Sequence, residues 1–283
     1  MKVRRSNRVI EMTRYLLERP HTLVPLTFFS EAFDSAKSSI SEDLTIIRNT
    51  FAKQGTGILE TVPGAAGGVR YIPTVDQSTA EQFLNEMSTR ISAPERVLPG
   101  GYVYLSDLLG EPEVLRQVGR LVASQYAKKQ VDVVMTIATK GIPIAQSVAY
   151  YLNKPFVIVR RDSKITEGST VSVNYVSGSS KRVEKMELSK RSLQKGAHVL
   201  IVDDFMKGGG TISGMVSMVK EFEAELAGIA VFGESKFEGE RAVPAYTSLI
   251  RIDSLDAINN QIKAVPGSYM TQTDFNVLDA AHS

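Results

Sequence analysis

A chain of 283 residues is long enough for two domains of ordinary size. Its composition, with 43% apolar and 23% charged residues and no Cys, is typical of a globular protein and excludes a disulfide framework, a zinc knuckle and a thiol nucleophile. The net charge is only +2 and no run approaches about 18 apolar residues, so the sequence predicts a cytoplasmic protein without a membrane partner.

The small net charge is unevenly distributed along the chain. Residues 1–74 contain ten Lys or Arg against seven Asp or Glu, whereas the remainder contains 23 against 24. The basic residues begin at the amino terminus with Lys2, Arg4, Arg5 and Arg8. This asymmetry indicates a polyanionic partner for the first part of the chain, although a basic terminus that is merely solvated gives the same pattern.

Three short helices and a β-hairpin are predicted at the start of the chain. Apolar residues recur at helical spacing in the first three segments and alternate in the last two. Ser6 is the expected N-cap of the first helix, and Ser39 with Glu42 forms an expected capping box on the third. The predicted segments are the helices 6–19, 25–33 and 38–51 and the strands 57–63 and 67–73. This order is the layout of a winged helix-turn-helix module.

A polar stretch follows, and we place the domain boundary near residues 74–80. From about residue 100 onward, short apolar strands alternate with helices, which predicts an α/β domain with a parallel sheet covered on both faces. Ligands of such sheets bind beyond the carboxyl ends of the strands. The predicted strands are 131–139, 154–161, 198–205, 226–236 and 248–253, and the predicted helices between them include 142–153 and 210–225.

The segment 199–214, VLIVDDFMKGGGTISG, contains the most specific chemistry of the chain. After an apolar strand that is predicted to end at Val202, Asp203 and Asp204 can accept hydrogen bonds from the vicinal hydroxyls of a ribose. The glycines at 208–210 and Thr211 can surround a phosphate with N–H and hydroxyl donors at the start of a helix. Lys207 adds a positive charge. A helix-entry turn with incidental acids is the alternative, but the ordered combination favours a site for a ribose 5-phosphate.

This segment resembles the phosphoribosyl pyrophosphate (PRPP) motif of the type I phosphoribosyltransferases. The resemblance implies that the two acids hold the ribose and that the loop from Lys207 to Thr211 holds the 5-phosphate. It also places the pyrophosphate loop at 136–145, where Lys140 and Gly141 would meet the pyrophosphate, although a solvated Lys140 is as compatible with the sequence. The polar segment 163–185 matches the flexible loop of that family, and residues 98–161 are similar to its xanthine-using branch.

One departure from the transferase pattern indicates binding without transfer. Purine transferases commonly carry an acidic or small residue in place of Lys207, and Thr in place of Gly208. A protonated Lys cannot accept the proton that a carboxylate there could take from a purine. His21, His198 and His282 are expected to be structural or solvated, so none replaces the missing base.

The whole chain resembles the purine operon regulators of Gram-positive bacteria, including FFSEAFDSAKSSISEDL, LPGGY, TIATKG and TEGSTVSVNYVSGSS. The resemblance implies a homodimer that binds DNA upstream of purine genes, with PRPP as an effector that weakens DNA binding and with no transferase activity. It implies no resident metal, an Mg²⁺ ion accompanying PRPP, and guanosine tetraphosphate as a second ligand of the same pocket. The implied effector residues are Tyr102, Lys140, Gly141, Asp203, Asp204, Phe205, Lys207, Gly208, Gly209, Gly210 and Thr211.

The third helix is the predicted element for the major groove, because its outward face carries short polar side chains. The predicted DNA contacts are Lys2, Arg4, Arg5, Arg8, Lys37, Ser38, Ser39, Ser41, Thr45, Asn49 and Arg70. We expect residues 1–74 to form the DNA-binding domain and residues 75–283 the phosphoribosyltransferase-like effector and dimerisation domain. An active purine phosphoribosyltransferase with an appended module, or a DNA-binding protein whose body binds nothing, are the alternatives.

Overall fold

The computed structural model describes residues 3–64, 66–162, 168–176, 182–237, 239, 241, 243 and 245–275. Lys2, His282 and two parts of the predicted flexible loop, 163–167 and 177–181, lie outside the described residues. No helix in the described part of the chain is both long and apolar enough to cross a membrane.

The N-terminal module consists of three helices and a hairpin, as predicted. The inward side chains of the third helix, Ile40, Leu44, Ile47 and Phe51, are all buried and pack with residues of the other two helices and the hairpin. The elements are α1 (Arg5–Leu17), α2 (Leu26–Ala32), α3 (Lys37–Lys53), β1 (Ile58–Val62) and β2 (Gly68–Ile72).

Both predicted helix caps are wrong. α1 begins one residue before Ser6, and Arg4 at the cap position makes no side-chain capping bond. α3 begins at Lys37, two residues before Ser39, and follows Ala36, whose methyl group cannot accept a hydrogen bond. Both serines therefore lie inside the first helical turn, where backbone geometry and core packing, not a cap, fix the start of the helix.

The body is an α/β domain around a six-stranded sheet of order β12-β11-β10-β9-β5-β6. All neighbours are parallel except β12, which pairs antiparallel with β11 at one edge. The sheet prediction is confirmed except for this mixed edge. The elements are α4 (Gln77–Ile91), β3 (Val97–Leu98), β4 (Tyr102–Val103), α5 (Pro112–Gln125), β5 (Val133–Ile137), α6 (Gly141–Leu152), β6 (Phe156–Val159), β7 (Thr170–Val176), β8 (Val183–Ser189), β9 (His198–Met206), α7 (Gly210–Glu221), β10 (Glu225–Ser235), β11 (Thr247–Asp256), β12 (Gln261–Pro266) and α8 (Tyr269–Gln272).

The central strand β9 is buried on both faces, which explains its continuous apolar run. Leu200 and Val202 belong to the core that contains α4, α5 and α6, whereas Val199 and Ile201 belong to the core beneath α7 and the β7–β8 hairpin. Successive side chains of a strand point to opposite faces, so a strand covered on both sides needs apolar residues at every position.

The N-terminal module contacts the body through α5 and the residue that follows α6. Arg120 of α5 donates from Nη2 to the carbonyl oxygens of Gly55 and Thr74 at 3.0 and 3.2 Å. Asn153 donates from Nδ2 to Oγ1 of Thr22 at 3.0 Å. The module is thus hydrogen-bonded to α5 and to the end of α6. The start of α6 follows the carboxyl end of the sheet strand β5.

Candidate functional site

A cleft of about 600 Å³ opens at the carboxyl ends of the parallel strands. The end of β9 and the start of α7 form one wall, the ends of β10 and β11 form another, and the β3–β4 hairpin contributes to the rim. This is the edge at which α/β sheets bind ligands. Ten of the eleven predicted effector residues line the cleft: Tyr102, Lys140, Asp203, Asp204, Phe205, Lys207, Gly208, Gly209, Gly210 and Thr211.

The loop between β9 and α7 needs glycine for a backbone reason. Gly209 has a φ of +80°, in the left-handed region, and a Cβ atom added there would lie 2.9 Å from Cγ1 of Val243. Gly209 directly precedes α7, so the loop amides and the positive end of the helix lie together, beside the exposed Lys207. Backbone N–H groups, a helix N-terminus and a cation are the donors that suit a phosphate.

The two acids lie within β9 and not after its end, because the strand continues to Met206 and pairs with β10 throughout. Asp203 is 5% exposed and accepts a hydrogen bond from the backbone N–H of Asp204 at 2.9 Å. Burial, followed by the neighbouring Asp204, raises the pKa of Asp203 well above its usual range. Burial also raises the pKa of Asp204, against the opposing charge of Lys140. Hydroxyl donors from a sugar would satisfy carboxylates that the protein itself leaves poorly solvated.

These raised pKa values predict a particular pH dependence of stability. A carboxyl whose folded-state pKa exceeds the usual value, near 3.9, holds its proton more tightly in the folded chain than in the unfolded chain. The free energy of unfolding therefore falls as the pH rises from about 3.9 through the folded-state pKa. Without ligand, the variant combining Asp203→Asn with Asp204→Asn should therefore melt at a higher temperature than the wild type at pH 7, and this difference should shrink towards pH 4. Thermal melts across this range check the prediction, and an equal difference at both ends would contradict it.

Gly141, the one remaining predicted effector residue, does not line the cleft, but its lack of a side chain allows the neighbouring elements to pack closely. It is the first residue of α6, where an added Cβ would clash with Oγ1 of Thr136 and lie 3.0 Å from Oδ1 of Asp203. Glycine therefore lets the start of α6 approach β9. Lys140, the preceding residue, is exposed and lines the cleft. The peptide bond between Ala138 and Thr139 is cis.

Several residues of the cleft were missed from the sequence. Ser235 and Lys236 lie at the end of β10, and Asp253 and Leu255 lie in the second half of β11. What they share is their position at the end of an apolar strand, at the same edge of the sheet as Asp203. No motif marks them, and the sequence does not reveal which strands are neighbours in the sheet.

The histidines lie away from the cleft where they are described. Burial, together with the charges of Arg70 and Lys154, lowers the pKa of His21 to about 4. His198 is at the amino end of β9, with Nδ1 3.0 Å from Oδ2 of Asp132. Among the described residues, no group of three or more His, Cys, Asp or Glu is arranged to hold a metal ion.

The predicted DNA surface is partly exposed and partly used for folding. The outward face of α3 is exposed at Lys37, Ser38, Ser41, Thr45 and Asn49, and Ser39 is half-buried. Arg4 and Arg5 are exposed next to the helix start, although Arg5 also pairs with Asp43 at 2.9 Å. Arg70 lies in β2 and pairs with Glu60 on the neighbouring strand at 2.5 Å.

Arg8 is a correction to the sequence prediction, because it does not belong to a basic arm. It lies in α1, is 6% exposed, and its Nε atom is 2.5 Å from Oδ2 of Asp43, which is completely buried. Nη1 of Arg8 also donates to Oγ of Ser35 at 3.2 Å. A buried guanidinium with these partners stabilises the packing of α1 on α3 and is not available to a phosphate of DNA.

Known proteins match both parts of this architecture. A family model described as the N-terminal part of the bacterial purine repressor matches residues 4–73, and the phosphoribosyl transferase domain matches residues 105–268. The purine biosynthesis transcriptional repressor of Bacillus subtilis is 55% identical over 98% of both chains. This chain belongs to the family of purine biosynthesis transcriptional regulators. The resemblance found from the sequence is confirmed.

Regulators of this family differ in the direction of their effect. The relative from Lactococcus lactis, 52% identical over 94% of this chain and 98% of its own, is named a transcriptional activator. A transferase among the relatives matches a shorter part of the chain: the xanthine phosphoribosyltransferase of Deinococcus deserti is 29% identical over 58% of this chain and 91% of its own. The phosphoribosyl transferase model thus covers residues 105–268 of the body, whereas the regulators of Bacillus subtilis and Lactococcus lactis match 98% and 94% of the chain.

Proposed function

We propose that this chain regulates purine biosynthesis genes by binding their upstream DNA and by sensing PRPP, without transferring its phosphoribosyl group. Residues 1–74 form the DNA-binding unit and residues 75–283 the effector and dimerisation unit. PRPP enters the cleft, and its occupancy weakens DNA binding. The observation that carries the proposal is the joining of a winged-helix module to a cleft lined by Asp203, Asp204 and the glycine loop.

The cleft has donors and acceptors suited to each part of PRPP. The loop from Lys207 to Thr211 would bind the 5-phosphate, and Asp203 and Asp204 would accept hydrogen bonds from the ribose hydroxyls. Lys140 would meet the pyrophosphate, together with the Mg²⁺ ion that such a group brings with it. Tyr102 and Phe205 lie on the walls of the same cleft, where guanosine tetraphosphate would also bind.

Lys207 argues against a transfer reaction. It lies in the cleft, at the position where purine transferases commonly have an acidic or small residue, and a protonated amine cannot accept a proton from a purine. The described carboxylate on the opposite wall, Asp253, lies 3.4 Å from Nη2 of Arg251 and 4.0 Å from Nζ of Lys263. Two basic side chains thus lie close to this carboxylate.

The outward face of α3 would enter the major groove, and Arg4 and Arg5 would contact the phosphate backbone beside it. Short side chains such as Ser38, Ser41 and Thr45 allow close approach to base edges. Phosphate contacts set the register of the module on the duplex, whereas base contacts set the sequence. In a homodimer, two such modules would read two half-sites.

A gel shift tests the regulatory function directly. The purified protein should retard DNA from upstream of purine genes but not a scrambled duplex of the same length, and millimolar PRPP with Mg²⁺ should release the specific complex. Ribose 5-phosphate, which lacks the pyrophosphate, serves as the ligand control and should release less DNA. A complex that is indifferent to PRPP would contradict the proposal.

The rival enzymatic function has its own assay. Protein incubated with PRPP, Mg²⁺ and xanthine, guanine or hypoxanthine should release no pyrophosphate above the background without protein. Nucleotide synthesis by the purified chain would contradict the proposed function and show that the chain is a transferase.

A further inference from the structure

Arg241, in the connection between β10 and β11, joins two walls of the effector cleft from behind. Its Nε atom donates to the carbonyl oxygen of Lys207 at 2.9 Å, and Nη2 donates to the carbonyl oxygen of Ser235. Lys207 belongs to the proposed phosphate loop, and Ser235 ends β10. Arg241 itself does not line the cleft.

A buried carboxylate holds this guanidinium in place. Glu234 is 7% exposed, and its Oε2 lies 2.6 Å from Nη1 of Arg241. Oε2 also accepts from the hydroxyl of Tyr246 at 2.7 Å, and Oε1 accepts from Oγ of Ser248 at 2.6 Å. Burial and the Glu234 carboxylate raise the pKa of Tyr246 to about 12, so its hydroxyl remains a donor. Arg241 is therefore fixed by partners at the end of β10 and by Tyr246, directly before β11.

Fixing the Lys207 carbonyl also fixes the next amide. The peptide unit is planar and trans, so the N–H of Gly208 points away from the oxygen that Arg241 holds. Gly208 lines the cleft, whereas Arg241 does not. The same segment supports the loop a second time, because the side chain of Val243 lies against Gly209.

We propose that Arg241 is a positioning residue for the effector: through the Lys207 carbonyl it presets the phosphate loop before PRPP arrives. This inference rests on the proposed function of the cleft. A loop whose amides are already oriented loses less conformational freedom on binding, which raises affinity without adding a contact to the ligand. Arg241 thus affects PRPP binding although it touches no part of PRPP.

The test separates positioning from simple stability with two variants. Arg241→Gln removes the bond to Lys207 but leaves Glu234 buried without its cation, so it should lower the melting temperature as well as the PRPP affinity. Combining Arg241→Gln with Glu234→Gln removes both charges and should recover most of the melting temperature. In both variants the Kd for PRPP, measured by calorimetry, should rise by up to about a hundredfold, because the ordering of the loop cannot contribute more than the hydrogen bond to the charged donor that maintains it.

Arg90→Gln is the matched control, since Arg90 is also partly buried, pairs with Glu111 at 2.5 Å and does not line the cleft. It should leave the PRPP affinity unchanged, and all variants should bind DNA normally in the absence of effector. A double variant that recovers its stability and binds PRPP like the wild type would overturn the inference alone. Wild-type protein that binds no PRPP would instead overturn the proposed function, and the inference with it.

Discussion

Replacing Asp203 and Asp204 together by Ala should weaken PRPP binding by at least about a hundredfold while leaving DNA binding intact. Hydrogen bonds to a charged group contribute on the order of 1.5–3 kcal/mol each, and both carboxylates would accept hydroxyl hydrogen bonds from one ribose. Two such losses exceed the roughly 2.7 kcal/mol that corresponds to a hundredfold change in Kd. Calorimetry with PRPP and Mg²⁺ measures the affinity, and a gel shift measures the DNA complex.

The control for this variant must change the charge equally without touching the cleft. Glu221→Ala combined with Glu223→Ala also removes two carboxylates, at the opposite end of α7. It should keep the wild-type PRPP affinity and the release of DNA by PRPP. If the Asp203 and Asp204 variant still released DNA at the wild-type PRPP concentration, the ribose would have to bind elsewhere.

Asp43→Ala should abolish DNA binding by unfolding the N-terminal module, with an expected loss of about 3–5 kcal/mol of stability. Asp43 is completely buried on α3 and accepts from Nε of both Arg5 and Arg8. Its removal leaves the buried Arg8 guanidinium without its counter-charge and disconnects α1 from α3. Denaturant unfolding measures the loss, and PRPP binding by the body should survive.

Glu42→Ala provides the comparison on the same helix. Glu42 is 71% exposed and lies 3.6 Å from Arg5, so this surface pair should contribute less than about 1 kcal/mol. Unfolding of the Glu42 variant at nearly the wild-type denaturant concentration, beside a strongly destabilised Asp43 variant, would assign the effect to the buried pair. Equal destabilisation of the two variants would contradict that assignment.

The parts predicted well from the sequence were those with local periodicity or a fixed local order. The 3.6-residue repeat of α3 correctly gave its buried face, and the uninterrupted apolar run of β9 correctly gave a strand covered on both sides. The loop that lines the cleft was located because an apolar strand, two acids and glycines occur consecutively. Each of these signals is contained within about fifteen residues.

The errors and omissions arose where a residue's partner is distant in sequence. Arg8 resembled part of a basic arm because the charge pattern of the terminus does not reveal Asp43, 35 residues later. Arg241 was overlooked because its role depends on the carbonyl of Lys207, 34 residues earlier, and a carbonyl has no sequence signature. The capping predictions failed for a local reason instead. Both α1 and α3 begin before the Ser that was expected to cap them.

The hydrogen bonds between the N-terminal module and the body offer a route by which the proposed effector binding could change DNA binding. α6 has 12 residues, so it is roughly 18 Å long and runs from Lys140, which we propose meets the pyrophosphate, to Asn153, whose Nδ2 atom donates to Thr22. Arg120 provides a second contact beside it. The N-terminal module is therefore hydrogen-bonded to the body at two places and is not joined to it only through the chain. If the cleft binds the effector as proposed, a small tilt of α6 at its Lys140 end would change the orientation of α3 relative to the DNA, without any change inside the N-terminal module.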